Sequence, residues 1–301
     1  MRAMTGCIEV KRKVAHRTNR FVAVGLCIAG LLFTPTIRAQ QRGTATAARG
    51  ALTPAQPAPY RAPRTGDGRP DLNGIWQALD GPNWNIEPHA ADFGTVPQLG
   101  AINAVPPSIG VVEGGMIPYK PEALEQRNEN YKNRTSLDPE AKCYLPGVPR
   151  TVYLPQPFQI IQSTEHIMMA FQFAGAVRTI NMRDHMPAPA PSWMGWSNGH
   201  WEGETLVIET TGLDDRTWFD RAGNFHSDEL KVTERITRRN QDVLDYEATI
   251  DDPKVFTRVW KIRLPLYRHV EENAQLMEFK CVEFAEELLY GHLRKQPATQ
   301  Q

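Results

Sequence analysis

The segments Glu229-Leu-Lys-Val-Thr-Glu-Arg-Ile-Thr-Arg-Arg239 and Asp242-Val-Leu-Asp-Tyr-Glu-Ala-Thr-Ile250 decide the fold. In both, apolar and polar residues alternate and β-branched residues are frequent, which is typical of a β-strand with one buried face. Only Asn240 and Gln241 separate the two segments. A link of that length favours an antiparallel hairpin.

The same alternation continues through the second half of the chain. It predicts further strands at residues 158–173, 176–183, 200–210, 254–264 and 275–284, the first of them long enough to bend. Because most links between them are short, we expect an antiparallel meander. With a first strand at residues 72–77 there are about eight strands, enough to close into a barrel that holds one small ligand.

The part of the chain before these strands has a different composition. From Asp71 to about Pro157 it is rich in Pro and Gly, so we expect an irregular N-terminal wrap around a single β-barrel-like domain at residues 71–294. One helix is predicted in the wrap at residues 121–131, with Pro121 as its first residue. A second short helix is expected at residues 286–294.

The N-terminal region has the pattern of an export signal. A basic stretch ends at Arg20, an apolar run occupies residues 21–33, and small residues precede Gln40. This order predicts a signal peptide at residues 1–39 and a periplasmic or secreted protein with no membrane insertion after cleavage; an uncleaved anchor is the alternative. Residues 40–70 contain few large apolar groups, so we expect a disordered linker there.

The charge balance bears on the class of partner. The chain has 301 residues, with 34 Lys and Arg against 34 Asp and Glu, but residues 1–39 carry seven of the basic residues and one acidic residue. The remainder therefore has 27 basic and 33 acidic residues, a net charge of −6. Nucleic acids and anionic membrane surfaces bind proteins through basic surfaces, so neither is expected as a partner. The composition leaves the oligomeric state open.

Two cysteines, Cys143 and Cys281, remain after signal cleavage. Two cysteines in an exported chain usually pair, so we expect a disulfide between them. A reactive thiol or a metal ligand is the alternative. His166, His185, His200 and His226 lack the spacing of metal ligands, and the chain has no nucleotide-binding motif, so neither a metal nor another cofactor is expected.

Three charged residues fall on the apolar face of predicted strands. Glu234 alternates in phase with Val232 and Ile236, and the same spacing places Arg258 and Arg178 on apolar faces. An isolated charge is costly to bury, so these residues should be paired or should line a wet pocket. Two interpretations remain: a structural Glu234–Arg258 pair or strand ends that face water, and a ligand or active-site pocket.

A loop before the strand at Glu229 contains candidate catalytic residues. The sequence Trp218-Phe-Asp-Arg-Ala-Gly-Asn-Phe-His226 brings Asp220 near His226, and a carboxylate beside an imidazole suits general acid–base catalysis. In this hypothesis His226 transfers the proton, Asp220 orients it, and Glu234 lines the site. The alternative is an Asx turn in which the histidine binds backbone carbonyls.

Aromatic residues near the predicted barrel rim are candidates for ligand stacking. Trp218, Trp196 and His185, together with Arg178 and Arg258, form the predicted substrate-binding set, although such residues also pack long loops. Gly195-Trp-Ser-Asn-Gly199 matches the G-x-S-x-G pattern of hydrolases. That mechanism needs a strand before the serine and a helix after it, which the local sequence does not offer, so we interpret the match as chance.

Some motifs resemble those of known families. Asp71-Leu-Asn-Gly-Ile-Trp76 contains the G-x-W that opens the first strand of lipocalins. The segments Gly68-Arg-Pro-Asp-Leu-Asn-Gly-Ile-Trp76, Gly199-His-Trp-Glu-Gly-Glu-Thr-Leu-Val-Ile-Glu-Thr210 and Asp220-Arg-Ala-Gly-Asn-Phe-His-Ser-Asp-Glu-Leu230 resemble a family of exported bacterial proteins without an established activity. The resemblance covers about residues 65 to 285 and implies no catalytic residues.

Two functions are compatible with these patterns. The first is an exported enzyme, a lyase, isomerase or hydrolase, that uses acid–base chemistry on a small molecule in the barrel. The second is a non-catalytic, lipocalin-like carrier of an apolar or aromatic ligand. A fold hosts many functions, so the geometry of the site has to distinguish them.

Overall fold

A computed structural model describes residues 60–79, 81–94 and 96–293. The predicted signal peptide at 1–39 and most of the predicted linker lie outside the described residues. Residues 60–70 of that linker form a turn in which the Thr65 amide donates to the Arg69 carbonyl, and Ala62 is buried. The folded unit therefore begins before Asp71.

The chain forms a closed, mainly antiparallel β-barrel. Nine strands form it in the order β1-β11-β10-β9-β8-β7-β6-β5-β4, and β4 pairs with β1 to close it. Strands β2 and β3 form a separate two-stranded sheet. The strands are β1 (Gly74–Gln77), β2 (Asp92–Phe93), β3 (Ala104–Val105), β4 (Phe158–Gln162), β5 (His166–Phe171), β6 (Val177–Asn181), β7 (Trp196–Glu202), β8 (Thr205–Thr211), β9 (Lys231–Arg238), β10 (Val243–Asp251) and β11 (Trp260–Arg268). The lipocalin-like barrel predicted from the sequence is confirmed.

The β9–β10 hairpin shows why the alternation predicts the fold. Tyr246 lies opposite Ile236 and Ala248 lies opposite Glu234, and all four residues are buried. Because side chains point to opposite faces with a period of two, this register sends one complete set of side chains into the barrel. The glutamate is part of that inward set.

Two predicted strands are in fact hairpins. Residues 158–173 contain β4 and β5, joined by a turn in which Ser163 Oγ accepts a hydrogen bond from the His166 amide. Residues 200–210 fall in the β7–β8 hairpin, which turns at Gly203 with a φ of 60°. Strands β6 and β7 are parallel, so the barrel is mixed rather than a pure meander.

The strand predicted at residues 275–284 is absent, since that segment has no regular structure and pairs with no strand among the described residues. It lies along the barrel instead: the Met277 amide donates to Gln172 Oε1, and the Phe279 ring packs on Phe173. The strand predicted at 254–264 begins later, at Trp260, and continues to Arg268.

The Pro-rich wrap is confirmed as a long insertion between β1 and β4. It contains α1 (Gly81–Trp84), α2 (Pro121–Lys132) and α3 (Arg134–Leu137), and irregular chain connects most of its elements. The predicted helix starting at Pro121 is α2, and the C-terminal helix α4 is Ala285–Tyr290. The 212–230 and 252–259 loops leave the barrel at the same end as the wrap, because their flanking strands are antiparallel neighbours.

The predicted disulfide between Cys143 and Cys281 is present, with a Cα–Cα distance of 5.6 Å. It joins the wrap to the C-terminal segment across 138 residues of sequence. Among the described residues, no helix combines the length and the apolar character needed to cross a bilayer.

Replacing both Cys143 and Cys281 by alanine should lower the free energy of unfolding by about 2–5 kcal/mol, because a long loop loses its cross-link in the unfolded chain. Urea unfolding with and without reductant measures the effect. Reductant should destabilise the natural protein and leave the double variant unchanged. Equal stability of the two proteins under oxidising conditions would contradict the prediction.

Candidate functional site

The inward side chains of the barrel strands are buried and pack against one another. The inward residues of the nine strands belong to one buried hydrophobic cluster that includes Trp76, Phe158, Met169 and Ile262. Within this cluster lie two of the three charged residues predicted to point inward, Arg178 and Glu234. Their side chains are 1% and 0% exposed.

Arg178 and Glu234 form the centre of a hydrogen-bond network. Both terminal nitrogens of Arg178 donate to the Glu234 carboxylate, and Arg178 Nε donates to Ser197 Oγ over 2.8 Å. Arg178 Nη2 also donates to Thr210 Oγ1 over 2.6 Å. The Tyr246 hydroxyl donates to Glu234 Oε1 over 2.8 Å.

This network uses most of the hydrogen-bonding capacity of the buried ion pair. Burial, together with the Glu234 carboxylate, raises the pKa of Tyr246 well above its ordinary value, so the phenol stays protonated and donates. Ser197 of the G-x-S-x-G match is held between Arg178 and Thr210. The inward charges are therefore paired with each other, which corresponds to the structural interpretation of the sequence with a different partner for Glu234.

The inward position predicted for Arg258 is wrong. Arg258 precedes β11, in the 252–259 loop, and its side chain is exposed. Its recorded hydrogen bond is a 3.3 Å contact from Nη1 to the Val259 carbonyl. The alternating pattern predicts a strand from residue 254, but the chain turns after Asp252 and the strand begins only at Trp260. Residues 254–259 therefore do not follow the inward and outward alternation of β11.

The candidate catalytic loop places Asp220 and His226 in separate networks. The Asp220 carboxylate accepts hydrogen bonds from the backbone amides of Ile86, Ala222 and Asn224 and from Asn224 Nδ2, the last over 2.6 Å. Burial raises the pKa of Asp220 to about 6, although these hydrogen bonds favour the ionised form. Asp220 organises its own loop and attaches it to the wrap at Ile86.

His226 is 3% exposed and is held by two neighbours. Nδ1 lies 2.8 Å from the Ser227 carbonyl, to which it donates, and Nε2 lies 2.6 Å from Thr217 Oγ1. Burial lowers the pKa of His226, which favours the neutral ring. Neither ring nitrogen bonds to Asp220, so the predicted Asp220–His226 hydrogen bond is not formed.

The predicted stacking residues are dispersed. Trp218 is buried in the 212–230 loop, and Trp196 begins β7 and is half-buried. His185 is exposed in the connection between β6 and β7, where Nε2 contacts the Gly199 carbonyl over 2.9 Å. The structure does not bring these three residues together.

A cleft of about 410 Å³ lies outside the barrel. The wrap, the 212–230 loop and the C-terminal segment each contribute to its walls. Its lining includes none of the residues predicted as catalytic or substrate-binding, but it includes Cys281 of the disulfide. Six aromatic side chains line the cleft: Trp84, Phe93, Tyr131, Phe173, Phe279 and Phe284.

A buried cluster of charges centred on Arg150 supports the cleft. Arg150 donates to both Asp138 oxygens, over 2.8 and 3.1 Å, and to Glu140 Oε2 over 2.6 Å. Arg221 donates to Glu140 from the other side over 2.9 Å and reaches Glu286 with Nη1. Burial opposes ionisation, but Arg221 and Arg150 outweigh it and lower the pKa of Glu140 to about 2.

The cleft therefore has aromatic, apolar walls, and the charged residues beside it, Asp138, Glu140, Arg150 and Arg221, form ion pairs with one another. Glu140 remains ionised because its pKa is lowered to about 2, so it is not available as a proton donor near neutral pH. Gln156 also lines the cleft, and its buried Oε1 has no hydrogen-bond partner among the described residues. No group of three potential metal ligands occurs in the described part of the chain.

Sequence reasoning missed this site because its residues lie outside the barrel strands, mostly in helices and irregular chain. Alternation locates strands, and Asp138, Glu140 and Arg150 are in none. The useful signal was the disulfide, since Cys143 lies between these acidic residues and Arg150, and its partner Cys281 lines the cleft.

Comparison with known proteins does not assign this chain to a family. No model of a known protein family matches this chain, and no curated protein matches it significantly. Membership of the family of exported bacterial proteins stays a prediction.

Removing one partner of the Arg178–Glu234 pair should be strongly destabilising. Glu234→Leu leaves a buried guanidinium without its counter-charge and should cost about 3–5 kcal/mol. The double variant Arg178→Met/Glu234→Leu should be more stable than either single variant, because no unpaired charge remains. Urea unfolding of the natural protein, the two single variants Arg178→Met and Glu234→Leu, and the double variant measures the interaction free energy of the pair in a double-mutant cycle.

Arg239→Met serves as the matched control for the loss of an ion pair, because Arg239 and Asp245 pair on the exposed side of the same barrel. It should cost less than about 1 kcal/mol. Additive effects of Arg178→Met and Glu234→Leu would show that the pair does not act as a unit.

The raised pKa of Asp220 predicts an unusual pH dependence. The folded state holds the proton up to a pH of about 6, whereas the ordinary value is 3.8, so Asp220 stabilises the fold most below pH 4 and loses this contribution as the pH rises to 6. Asp220→Asn cannot titrate, so its stability deficit relative to the natural protein should shrink between pH 4 and pH 7. Urea unfolding at both pH values measures it; a deficit that grows with pH would contradict the assignment.

Proposed function

We propose that this protein is a non-catalytic binding protein that holds a small molecule with an apolar or aromatic body in the cleft outside its barrel. The observation that carries the proposal is the cleft of about 410 Å³, with aromatic walls and with the buried charges beneath it already paired. Small-molecule sites typically have volumes of about 300–1,000 Å³ and apolar linings with a few polar groups.

Acid–base catalysis receives less support. A general base needs an accessible nitrogen or oxygen within reach of the substrate. His226 is buried, its two nitrogens contact Ser227 and Thr217, and it does not line the cleft. Glu234 is committed to Arg178 and Tyr246. The residues predicted as catalytic, His226, Asp220 and Glu234, therefore do not lie where they could transfer a proton at the cleft.

The proposal includes export to an oxidising compartment, either the periplasm or the medium. The pattern of residues 1–39 and the Cys143–Cys281 disulfide support it, because structural disulfides persist mainly outside reducing compartments. The proposed partner is one small molecule. The excess of acidic residues after position 39 argues against nucleic acid.

An uncharged fluorescent probe, N-phenyl-1-naphthylamine, tests the site. The natural protein should bind it with one site and an increase in emission, because the ring system leaves water for apolar walls. Ala141→Trp adds a large side chain to the cleft lining and should weaken binding at least about tenfold, which corresponds to 1.4 kcal/mol. Fluorescence titration measures the dissociation constants.

Ala274→Trp is the matched control, because Ala274 is exposed and does not line the cleft. It should bind the probe as the natural protein does. Both variants should retain the disulfide and the natural melting temperature within a few degrees. Equal binding by the two variants would place the probe elsewhere, and the absence of binding by the natural protein would refute the proposal.

A further inference from the structure

Arg134 is a positively charged residue of the cleft lining without a carboxylate partner. It lies in α3 and is half-buried, and no carboxylate oxygen among the described residues is within 4.0 Å of its nitrogens. Its guanidinium carbon lies 4.1 Å from the centre of the Tyr131 ring, and Nη1 donates to the Tyr131 carbonyl over 2.8 Å. These two contacts orient the guanidinium without neutralising it.

The other arginine and the lysine of the described lining have carboxylate partners. Arg221 lies between Glu140 and Glu286, with its guanidinium 4.6 Å from the centre of the Trp84 ring. Lys280 pairs with Glu278 over 3.3 Å, and both side chains are exposed. The ring nitrogens of His89, which also lines the cleft, contact the backbone carbonyls of Glu87 and Pro106. Among the arginine and lysine residues of the described lining, Arg134 is therefore the one without a carboxylate partner.

A guanidinium has five N–H donors, and Arg134 uses one of them in its recorded hydrogen bond. The remaining donors suit a flat or tetrahedral anion that accepts two hydrogen bonds at once. Two buried carboxylates of the lining, Asp138 and Glu140, form ion pairs with Arg150 and Arg221. Because these negative charges are neutralised, they repel a bound anion only weakly. Glu286, on the same lining, pairs with Arg221, and Asp92 and Glu287 are exposed, so water screens their charges.

We infer that the ligand of the cleft is an amphipathic organic acid whose anionic group binds Arg134 and whose apolar body packs against the aromatic walls. This inference rests on the proposed binding function and names the ligand class of the same site. The aromatic rings supply apolar area, and the guanidinium supplies orientation and selectivity for charge.

Two probes that differ in one group test the inference. The anionic probe is 1-anilinonaphthalene-8-sulfonate, and the uncharged probe is N-phenyl-1-naphthylamine, which has the same ring system without the sulfonate. The ratio of their dissociation constants reports the contribution of the anionic group. The natural protein should prefer the anionic probe, and Arg134→Met should reduce this preference at least about tenfold.

Lys132→Met is the control for net charge, since Lys132 is exposed, pairs with Glu129 and does not line the cleft. It should keep the natural preference. Arg134→Lys keeps the charge but loses the planar donor arrangement, so its preference should fall between those of the natural protein and Arg134→Met. This conservative variant gives the same test if Arg134→Met fails to fold.

The outcomes separate the two proposals. If the natural protein binds the uncharged probe as tightly as the anionic one, or prefers the cationic probe benzyltrimethylammonium, the anion inference is wrong and the binding function stands. An unchanged preference in both Arg134 variants also overturns the inference. If the natural protein does not bind the uncharged probe, the proposed function itself fails.

Discussion

The burial of Arg150 is the constraint on which the arrangement outside the barrel depends. A guanidinium without access to water requires carboxylates close to it, and here they come from Asp138 and Glu140, 12 and 10 residues earlier in the same wrap. Glu140 then accepts a hydrogen bond from Arg221, which attaches the 212–230 loop. Through Arg221 the network reaches Glu286 and so the C-terminal segment. One buried cation thereby fixes three irregular segments around a common cleft.

The barrel also contains a buried arginine, and its charge is neutralised by a carboxylate on another strand. Arg178 and Glu234 neutralise each other inside a closed ring of strands, and Tyr246, Ser197 and Thr210 supply further hydrogen bonds. The pair and the surrounding apolar residues are buried inside the ring of strands. We therefore propose that a ligand binds at the end of the barrel where the wrap and the loops form the cleft. A barrel fold alone would have suggested a ligand site inside the barrel.

The sequence predicted the barrel well because its strands obey a simple period. The alternation located β9 and β10 within one or two residues, and it identified Arg178 and Glu234 as inward charges. It failed where the period carries no information. A tight turn at 163–165 keeps an apolar pattern on both sides, and the 275–284 segment alternates in sequence although it pairs with no strand among the described residues.

The cleft was beyond such reasoning for a related reason. Its residues come from the wrap, the 212–230 loop and the C-terminal segment, and only three-dimensional contacts such as that between Arg221 and Glu140 bring them together. The disulfide was predictable from composition and already joined two of these segments, but its position relative to a ligand site was not. Local sequence patterns describe strands and helices; sites made from irregular chain depend on charges that meet at long range.

The perturbed pKa values of this protein illustrate how such charges should be interpreted. Strong shifts are often used to locate catalytic groups. Here Asp220 has a pKa raised to about 6 by burial, yet its oxygens accept four hydrogen bonds from the protein and it does not line the cleft. Glu140 lines the cleft but has a pKa lowered to about 2 by two arginines. The group with a pKa suited to proton transfer does not line the cleft, and Glu140, which does, has an unsuitable pKa. The first shift comes from burial and the second from ion pairing, and in both cases the carboxylate is held by neighbouring segments of the chain.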